Sequence, residues 1–329
     1  MRISVLILSV DEAPMLERCL PAVLAQDPGP VVTVIDNACR DATAEVAARH
    51  GVERLALAQR CGYAEAINRG LAATAAAAEP SDAVLLLNAD CFLRPGFLAA
   101  ALPHLLLPGI GSVAPRLLRA ERGPGARAQP AAQIDAAAMV IDRRRKNGLV
   151  GHGLPLTAHL RTAPAFGADG AAALYRREVL DACRLGEREV LDEDMALWAS
   201  DADLAWRAQL LGWGCVYEPA AQADHVRTYS PSTRASVAAA HRRLQFRNRL
   251  LMMIKNETAA GLRRDAPRIL AYELLALGHA LLRERTLLGG YREAWALRGG
   301  ARRRRRIIQA RRRELAPGSQ PPFGLRPPA

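Results

Sequence analysis

Three aspartates stand where a chain of alternating strands and helices would carry chemistry. Asp36 follows the apolar run 31–35, Asp90 follows 84–87 through Asn88 and Ala89, and Asp11 follows the first apolar run through Ser9 and Val10. In open parallel sheets, ligands bind beyond the carboxyl ends of the strands. A single aspartate there often only caps a helix or braces a turn, but three along one edge favour a polar ligand. Asp90 suggests a divalent metal, because Mg²⁺ takes one or two protein carboxylates and completes its shell with substrate phosphates and water. Mg²⁺ or Mn²⁺ held in this way would offset the charge that gathers on a departing diphosphate.

The elements that must position these residues follow from the hydrophobic pattern. Runs 3–8, 31–35, 54–58 and 84–87 read as strands, and 14–25, 42–50 and 63–77 as helices between them. The run 84–87 is so apolar that both of its faces must be covered, and strands alternating with helices imply βαβ units and a parallel sheet. Further on, 119–130 and 143–165 are rich in Gly, Pro and Arg and read as surface loops. Runs 134–141, 171–175 and 216–217 are strand candidates, 201–211 is helical, and a long helical tract starts near 237. The Pro-rich residues 316–329 are expected to be disordered.

Composition narrows the class. The 329 residues are 50% hydrophobic, enough for a large core. Six scattered cysteines without a CxxC pair fit reduced thiols in a cytoplasmic protein better than a disulfide framework or a zinc knuckle. The first apolar run meets Asp11 and Glu12 too soon for a signal peptide, and no stretch approaches the roughly 20 apolar residues of a membrane span. The net charge of +12 is uneven. Residues 241–314 hold 20 Lys+Arg against 6 Asp+Glu, while the rest of the chain carries 25 against 27.

The ordered motifs carry a resemblance. Val34-Ile35-Asp36-Asn37-Ala38, Gly62-Tyr63-Ala64 with Asn68-Arg69-Gly70, and Leu86-Leu87-Asn88-Ala89-Asp90 resemble family 2 glycosyltransferases of the GT-A fold. So do Gly167-Ala168-Asp169-Gly170-Ala171, Asp201-Ala202-Asp203-Leu204-Ala205-Trp206-Arg207, His225 and Phe246-Arg247-Asn248-Arg249. The similarity runs from about residue 3 to 255 and is nearest to rhamnosyltransferase-like members. It implies a GT-A type α/β fold, with a mixed, mainly parallel sheet flanked by helices and a basic, helical C-terminal extension. The domains expected are a catalytic domain over 1–255, the helical extension over 256–315, and the tail.

Roles follow by resemblance, position by position. Asp36 falls where the donor's base or ribose is contacted, and Ser9 and Asp11 line the same nucleoside pocket. Asp90 falls on the metal-binding acid of the triplet after the strand, with Asn88 in place of the first acid. His225 matches a histidine near the metal or diphosphate. Asn68 and Arg247 belong to motifs on the donor side. Asp201 matches the catalytic base, which takes the acceptor hydroxyl's proton, although Ser200 stands where a glutamate usually precedes it. Asp192, Glu193 and Asp194 lie upstream as possible substitutes for that acid. Asp203, two residues from Asp201 on a helix, cannot share its face and should pair with Arg207 or cap the helix. Arg60 could hold a phosphate or be solvated, and Asp169 could bond a sugar hydroxyl or brace a turn.

The implied activity is inverting transfer of a sugar, rhamnose among the candidates, from a nucleotide-diphosphate donor to a glycan or lipid-linked acceptor in cell-envelope polysaccharide synthesis. The arginine clusters 302–306 and 311–313, with the apolar helical stretch 269–282, suit an anionic membrane surface on the cytoplasmic side; the alternative is a helix packed on the catalytic body with a solvated arginine end. Nucleic acid is not expected as a partner, for lack of an aromatic-interleaved basic motif. Two rival readings are a sugar nucleotidyltransferase and a catalytically silent scaffold at the membrane. The first would need a glycine-rich basic loop where Asp11-Glu12-Ala13-Pro14 stands.

Overall fold

The computed structural model describes residues 1–122, 128–227 and 237–329, with side chains at all of these but 122 and 128–131. Four strands, β1 (Ile3–Ser9), β2 (Val31–Asp36), β3 (Glu53–Ala56) and β4 (Ala83–Asn88), run parallel in the order β3-β2-β1-β4. They are joined through α1 (Ala13–Leu24), α2 (Thr43–Arg49) and α3 (Tyr63–Ala75). The order reverses between β1 and β4, which makes their carboxyl ends the switch point where such sheets take ligands.

Both faces of the inner strands β1 and β4 are dry. Ile3, Val5, Ile7, Leu85 and Leu87 pack with α1 and α2 on one side, whereas Leu6, Leu8, Val84 and Leu86 pack with α3 on the other. Alternate residues therefore face opposite layers, and all of them are apolar because both layers are helical. Gly70 permits the close approach of α3: a Cβ there would lie 2.4 Å from the Ile35 side chain.

The sheet continues as a mixed half. β11 (Ala172–Arg176) runs antiparallel between β4 and β6 (Ile110–Arg122), and β12 (Gly214–His225) runs parallel to β6. β10 (Ala163–Ala165) and β5 (Cys91–Leu93) add antiparallel edges to β12, and β7 (Ala128–Ala136) pairs with β6. β8 (Ala138–Ile141) and β9 (Asn147–Val150) form a separate ribbon. α4 (Phe97–Leu105), α5 (Arg177–Ala182) and α6 (Ser200–Leu210) complete the layers.

Several expectations need correction here. Residues 119–122 and 128–130 are strand rather than loop, paired across β6 and β7; residues 123–127 lie outside the described set. Pairing supplied the order that Gly, Pro and Arg content hid. The expected strand 134–141 changes partner at Ala137, leaving β6 for β9. The last strand, expected to be short and to begin at Val216–Tyr217, covers twelve residues, because a bulge at Glu218–Gln222 absorbs Pro219 and the pairing with β6 resumes beyond it.

The C-terminal third is helical: α7 (Ala239–Asn256), α8 (Ala259–Leu282) and α9 (Leu287–Leu315). Met252 of α7, Ala294, Ala301 and Ile308 of α9 and Trp206 of α6 share one buried cluster. The arginine-rich end of α9 is partly turned inward. Arg304 meets Glu189, Asp192 and Asp194, while Arg305 and Arg311 donate to backbone carbonyls of the body. Residues 316–329, expected to be disordered, instead follow a defined course as a strap. Phe323 stacks on Phe166 and meets Trp206 edge-on, Gly324 N–H donates to Ile141, and His159 reaches the Pro328 carbonyl. Aromatic burial and backbone pairing hold the strap where composition suggested solvent. No helix among the described residues is long and apolar enough to cross a membrane.

Candidate active site

A cleft of about 310 Å³ opens at the β1/β4 switch point, lined in part by Leu8, Asn37, Arg60, Tyr63, Asn88 and Asp90. On its β2 side, Asp36 is buried and accepts hydrogen bonds from the Cys39 backbone N–H and Arg54, each at 2.8 Å. Burial opposes its charge, but the Cys39 N–H, the Cys39 thiol and Arg54 outweigh it and hold the carboxyl below its usual range. Asn37 braces the facing loop through paired 2.9 Å bonds with the Cys61 backbone. Ser9 is buried against Thr43 and Cys39 behind the cleft wall, where it frames the strand end.

Asp11 adopts a left-handed backbone (φ 58°) and accepts from the Arg40 N–H and from Arg60, each at 2.6 Å. The Arg40 N–H, then Arg60, keep its carboxyl below the usual range. Arg60 is thus neither simply solvated nor free; Asp11 holds its guanidinium at the rim of the cleft. Asp11, Cys39 and Asp41 also lie close enough together to share an ion. Their donor set fits a hard cation poorly. Asp11 is already tied to Arg60, Asp41 caps Ala13 and Thr43, and burial keeps the Cys39 thiol protonated.

Asp90 fits better. It lines the cleft in the turn from β4 to β5, and β5 pairs with the end of β12, which carries His225. His225 Nε2 lies 3.5 Å from Asp90 Oδ1, while Nδ1 sits 2.8 Å from Asp135. A carboxylate and an imidazole nitrogen are suitable ligands for a divalent ion such as Mn²⁺, with the rest of the shell left to substrate oxygens and water.

Beyond His225 the polar line continues. Arg227 bonds both oxygens of Asp135, at 2.8 and 2.9 Å, and reaches Asp169 at 2.8 Å. Asp169 thus anchors Arg227, and it also accepts from Ala171 N–H. The next residue, Gly170, donates its N–H to Asp201 at 3.1 Å. The candidate metal end and the candidate base are therefore connected by Asp90, His225, Asp135, Arg227 and Asp169. Burial disfavours the His225 imidazolium, yet Asp135 and Asp90 raise its pKa to about 9. Burial also opposes charge on Asp135, but His225 and Arg227 hold it far below the carboxylate range.

Asp201 opens α6, enclosed by protein yet keeping partial solvent access. Burial, then repulsion from Asp169, pushes its carboxyl up to about 6, against the opposing Ala202 and Gly170 N–H groups. A carboxylate tuned in this way suits proton abstraction near neutral pH. Asp203 points the other way, as helical spacing requires, to Arg207 at 2.9 Å, Lys255 and Asn256. The Ser200 hydroxyl is buried beside Asp201 and meets no partner among the described residues.

Three expectations are corrected. Asn68 does not face the cleft; its amide is fully used by the backbone of Val190 and Leu191 and by Glu193. Arg247 donates to the carbonyls of Asp194 and Met195 and to Asn248, so it braces a loop. Asp192, Glu193 and Asp194 cannot stand in for the missing acid, since Lys255, Asn68 and Arg304 take them up. The loop that follows is unusual: Ala196, Trp198 and Ala199 all have positive φ, and Asn248 donates to the carbonyls of Met195, Leu197 and Trp198. It carries Leu197 into the cleft wall and leads directly into Asp201. Asp135 and Arg227 escaped the sequence reading. The available signals were an acid inside an apolar run and a cation two residues beyond His225.

Residues 1–248 match the family model described as glycosyltransferase like family 2. No curated protein sequence matches the chain. Among solved structures, GalNAc-T7 with UDP, GalNAc and Mn²⁺ aligns at a TM-score of 0.56 and 14% identity, over 77% of this chain and 48% of its own. This chain thus spans about half the length of that protein. The mannosyltransferase PcManGT from Pyrobaculum calidifontis, in complex with GDP-Man and Mn²⁺, aligns at 0.52 and 17% identity, over 97% and 88% of the two chains. S. aureus TarS 1-349 in complex with UDP-GlcNAc aligns at 0.56 and 12% identity, over 100% and 99%. At such identities the likeness speaks for the fold.

Proposed function

The chain belongs to glycosyltransferase-like family 2, and on that premise we propose that it moves a sugar from a nucleotide-diphosphate donor to a hydroxyl group by single displacement with inversion. The observation that carries this reading is the cleft at the switch point, with Asp90 and His225 near one end and an ion chain from them to Asp169, whose neighbour Gly170 donates its N–H to the raised carboxyl of Asp201. Asp36 and Asn37 would meet the nucleoside, and Arg60 the diphosphate. Asp201 accepts the proton of the acceptor hydroxyl as its oxygen attacks the anomeric carbon. The bond from that carbon to the diphosphate oxygen breaks, and inversion follows from attack opposite the leaving group. A divalent ion, when bound by Asp90 and His225, supplies charge stabilisation for the departing diphosphate. The Mn²⁺ in two of the fold neighbours supports that choice.

Rhamnose as the sugar, and a glycan or lipid-linked acceptor of cell-envelope polysaccharide, complete the proposal. The chain would then work peripherally at the cytoplasmic face of the membrane. A silent scaffold is the second reading, favoured by the unpartnered Ser200 where an acid is expected. One experiment separates them: binding and hydrolysis of dTDP-rhamnose, UDP-sugars and GDP-sugars, with and without Mn²⁺, on wild type and Asp90→Ala. Metal-dependent binding of one donor, lost in the variant, is expected. Failure to bind any donor with metal present would leave the scaffold.

A further inference from the structure

The apolar face of α8 has no partner among the described residues. Leu270, Leu274, Leu277 and Leu281 follow the spacing that brings side chains to one side of a helix. They are 39–61% exposed, and Leu275 and Leu282 beside them reach 74% and 84%. Scattered exposed leucines mean little, but a contiguous stripe marks an interaction surface. The opposite side of α8 is already committed to the body through Gly261, Asp265, Ile269 and Ala280.

Charge identifies the occupant. The two carboxylates of α8 are both removed from the exposed face: Asp265 is buried among Arg143, Arg145 and Arg264, and Glu273 is held by Arg249. What remains beside the leucines is basic. Arg263 and Arg268 are exposed on the same helix, and Arg283 and Arg285 follow its end. Arg268 makes no hydrogen bond or ion pair among the described residues. It borders a groove of about 430 Å³ that Arg143, Arg144, Ala271, Tyr272 and Leu275 also line, together with Asp142, which Arg144 neutralises at 2.8 Å. Glu284, between Arg283 and Arg285, is taken up by Arg242 at 2.5 Å. A leucine stripe with a cationic rim and no free acid among the described residues complements a lipid layer of negative headgroups.

We propose that the exposed face of α8, with the Arg268 groove at its flank, docks this chain on an anionic phospholipid bilayer. The leucines enter the acyl boundary, and the arginines meet headgroup phosphates. This inference rests on the membrane-side acceptor proposed above and replaces the arginine-rich end of α9, partly engaged with the body, as the contact surface.

The test is co-sedimentation of the full chain with vesicles of phosphatidylcholine alone and of equimolar phosphatidylcholine and phosphatidylglycerol. Sizing chromatography and nucleotide-donor binding are run in parallel. Wild type should pellet with the mixed vesicles and not with the neutral ones. Leu274→Glu/Leu277→Glu should abolish pelleting, and Arg268→Glu should weaken it about fivefold or more, as expected for a cation near such a surface. Both substitutions lie on exposed positions and should leave donor affinity and the thermal midpoint unchanged. Wild type that binds a donor but ignores the mixed vesicles overturns the docking surface and leaves the transferase intact. A dimer that the double leucine variant converts to monomer, without vesicle binding, assigns the face to a second copy and overturns it equally. Vesicle binding without any donor binding would sink the transferase reading instead.

Discussion

Asp135 offers the sharpest perturbation of the site. Its side chain is fully buried, with His225 Nδ1 at 2.8 Å and Arg227 Nε at 2.8 and 2.9 Å. Asp135→Asn keeps the shape but leaves one acceptor oxygen for two donors, and sets the new amide hydrogens against a guanidinium or an imidazole N–H. His225 then loses the bond that fixes its ring and aims Nε2 towards Asp90. Loss of such a supporting partner typically costs 10–100-fold in metal affinity, about 1.4–2.8 kcal/mol at 1.4 kcal/mol per tenfold. The assay is Mn²⁺ titration by electron paramagnetic resonance, with metal-free nucleotide binding and the thermal midpoint as controls. Because Asp135 would act through His225, the double variant Asp135→Asn/His225→Ala should bind Mn²⁺ no worse than His225→Ala alone. Wild-type Mn²⁺ affinity in a folded Asp135→Asn protein would refute this reasoning. So would two effects that simply add.

The base and the strap each lend themselves to direct tests. Asp201→Asn should lower kcat by roughly 10²–10⁴-fold with donor binding intact, and in wild type kcat/KM should fall as pH drops below about 6, where the base protonates. The sign for stability is opposite. A carboxyl raised from 3.8 to about 6 on folding favours the folded state while protonated, and that contribution is lost as pH rises through this window. Asp201→Asn should therefore be more heat-stable than wild type above pH 6 and less active, and a lowered midpoint there would count against the assigned shift. Phe323→Ala should cost roughly 2 kcal/mol, below the range for a wholly buried phenylalanine, because the ring is only half-buried between Phe166 and Trp206. An unchanged unfolding midpoint by tryptophan fluorescence would show that the strap contributes nothing.

The parallel half of the sheet was readable because its inner strands are short and largely apolar on both faces, and helices of regular period separate them. Asp36 and Asp90 were readable for the same reason, since they sit at strand ends that local pattern locates. The mixed half was not. β12 joins β6 across about a hundred residues of sequence, and although β6 and β7 are neighbours in the chain, Pro219 and the Gly-Pro-Arg content of 119–130 mask the strands locally. Asp135 is the corresponding loss at the site, because nothing nearby in sequence signals that His225 and Arg227 will arrive beside it. Asn68 and Arg247 were misassigned because a motif fixes which residues recur together, not which way they turn. Both turn towards the loop at 190–195.

The left-handed run at Ala196, Trp198 and Ala199 sets two kinds of selection against each other. A non-glycine residue held at such a positive φ costs roughly 1–3 kcal/mol of backbone strain, and glycine would remove most of it. Glycine would also multiply the shapes open to the segment, loosening the approach of Leu197 to the cleft and the entry into Asp201. A library screened for thermal survival should accumulate glycine at these three positions, with Asn248 becoming dispensable. A library screened for turnover should keep the strained residues and retain Asn248 as their clasp.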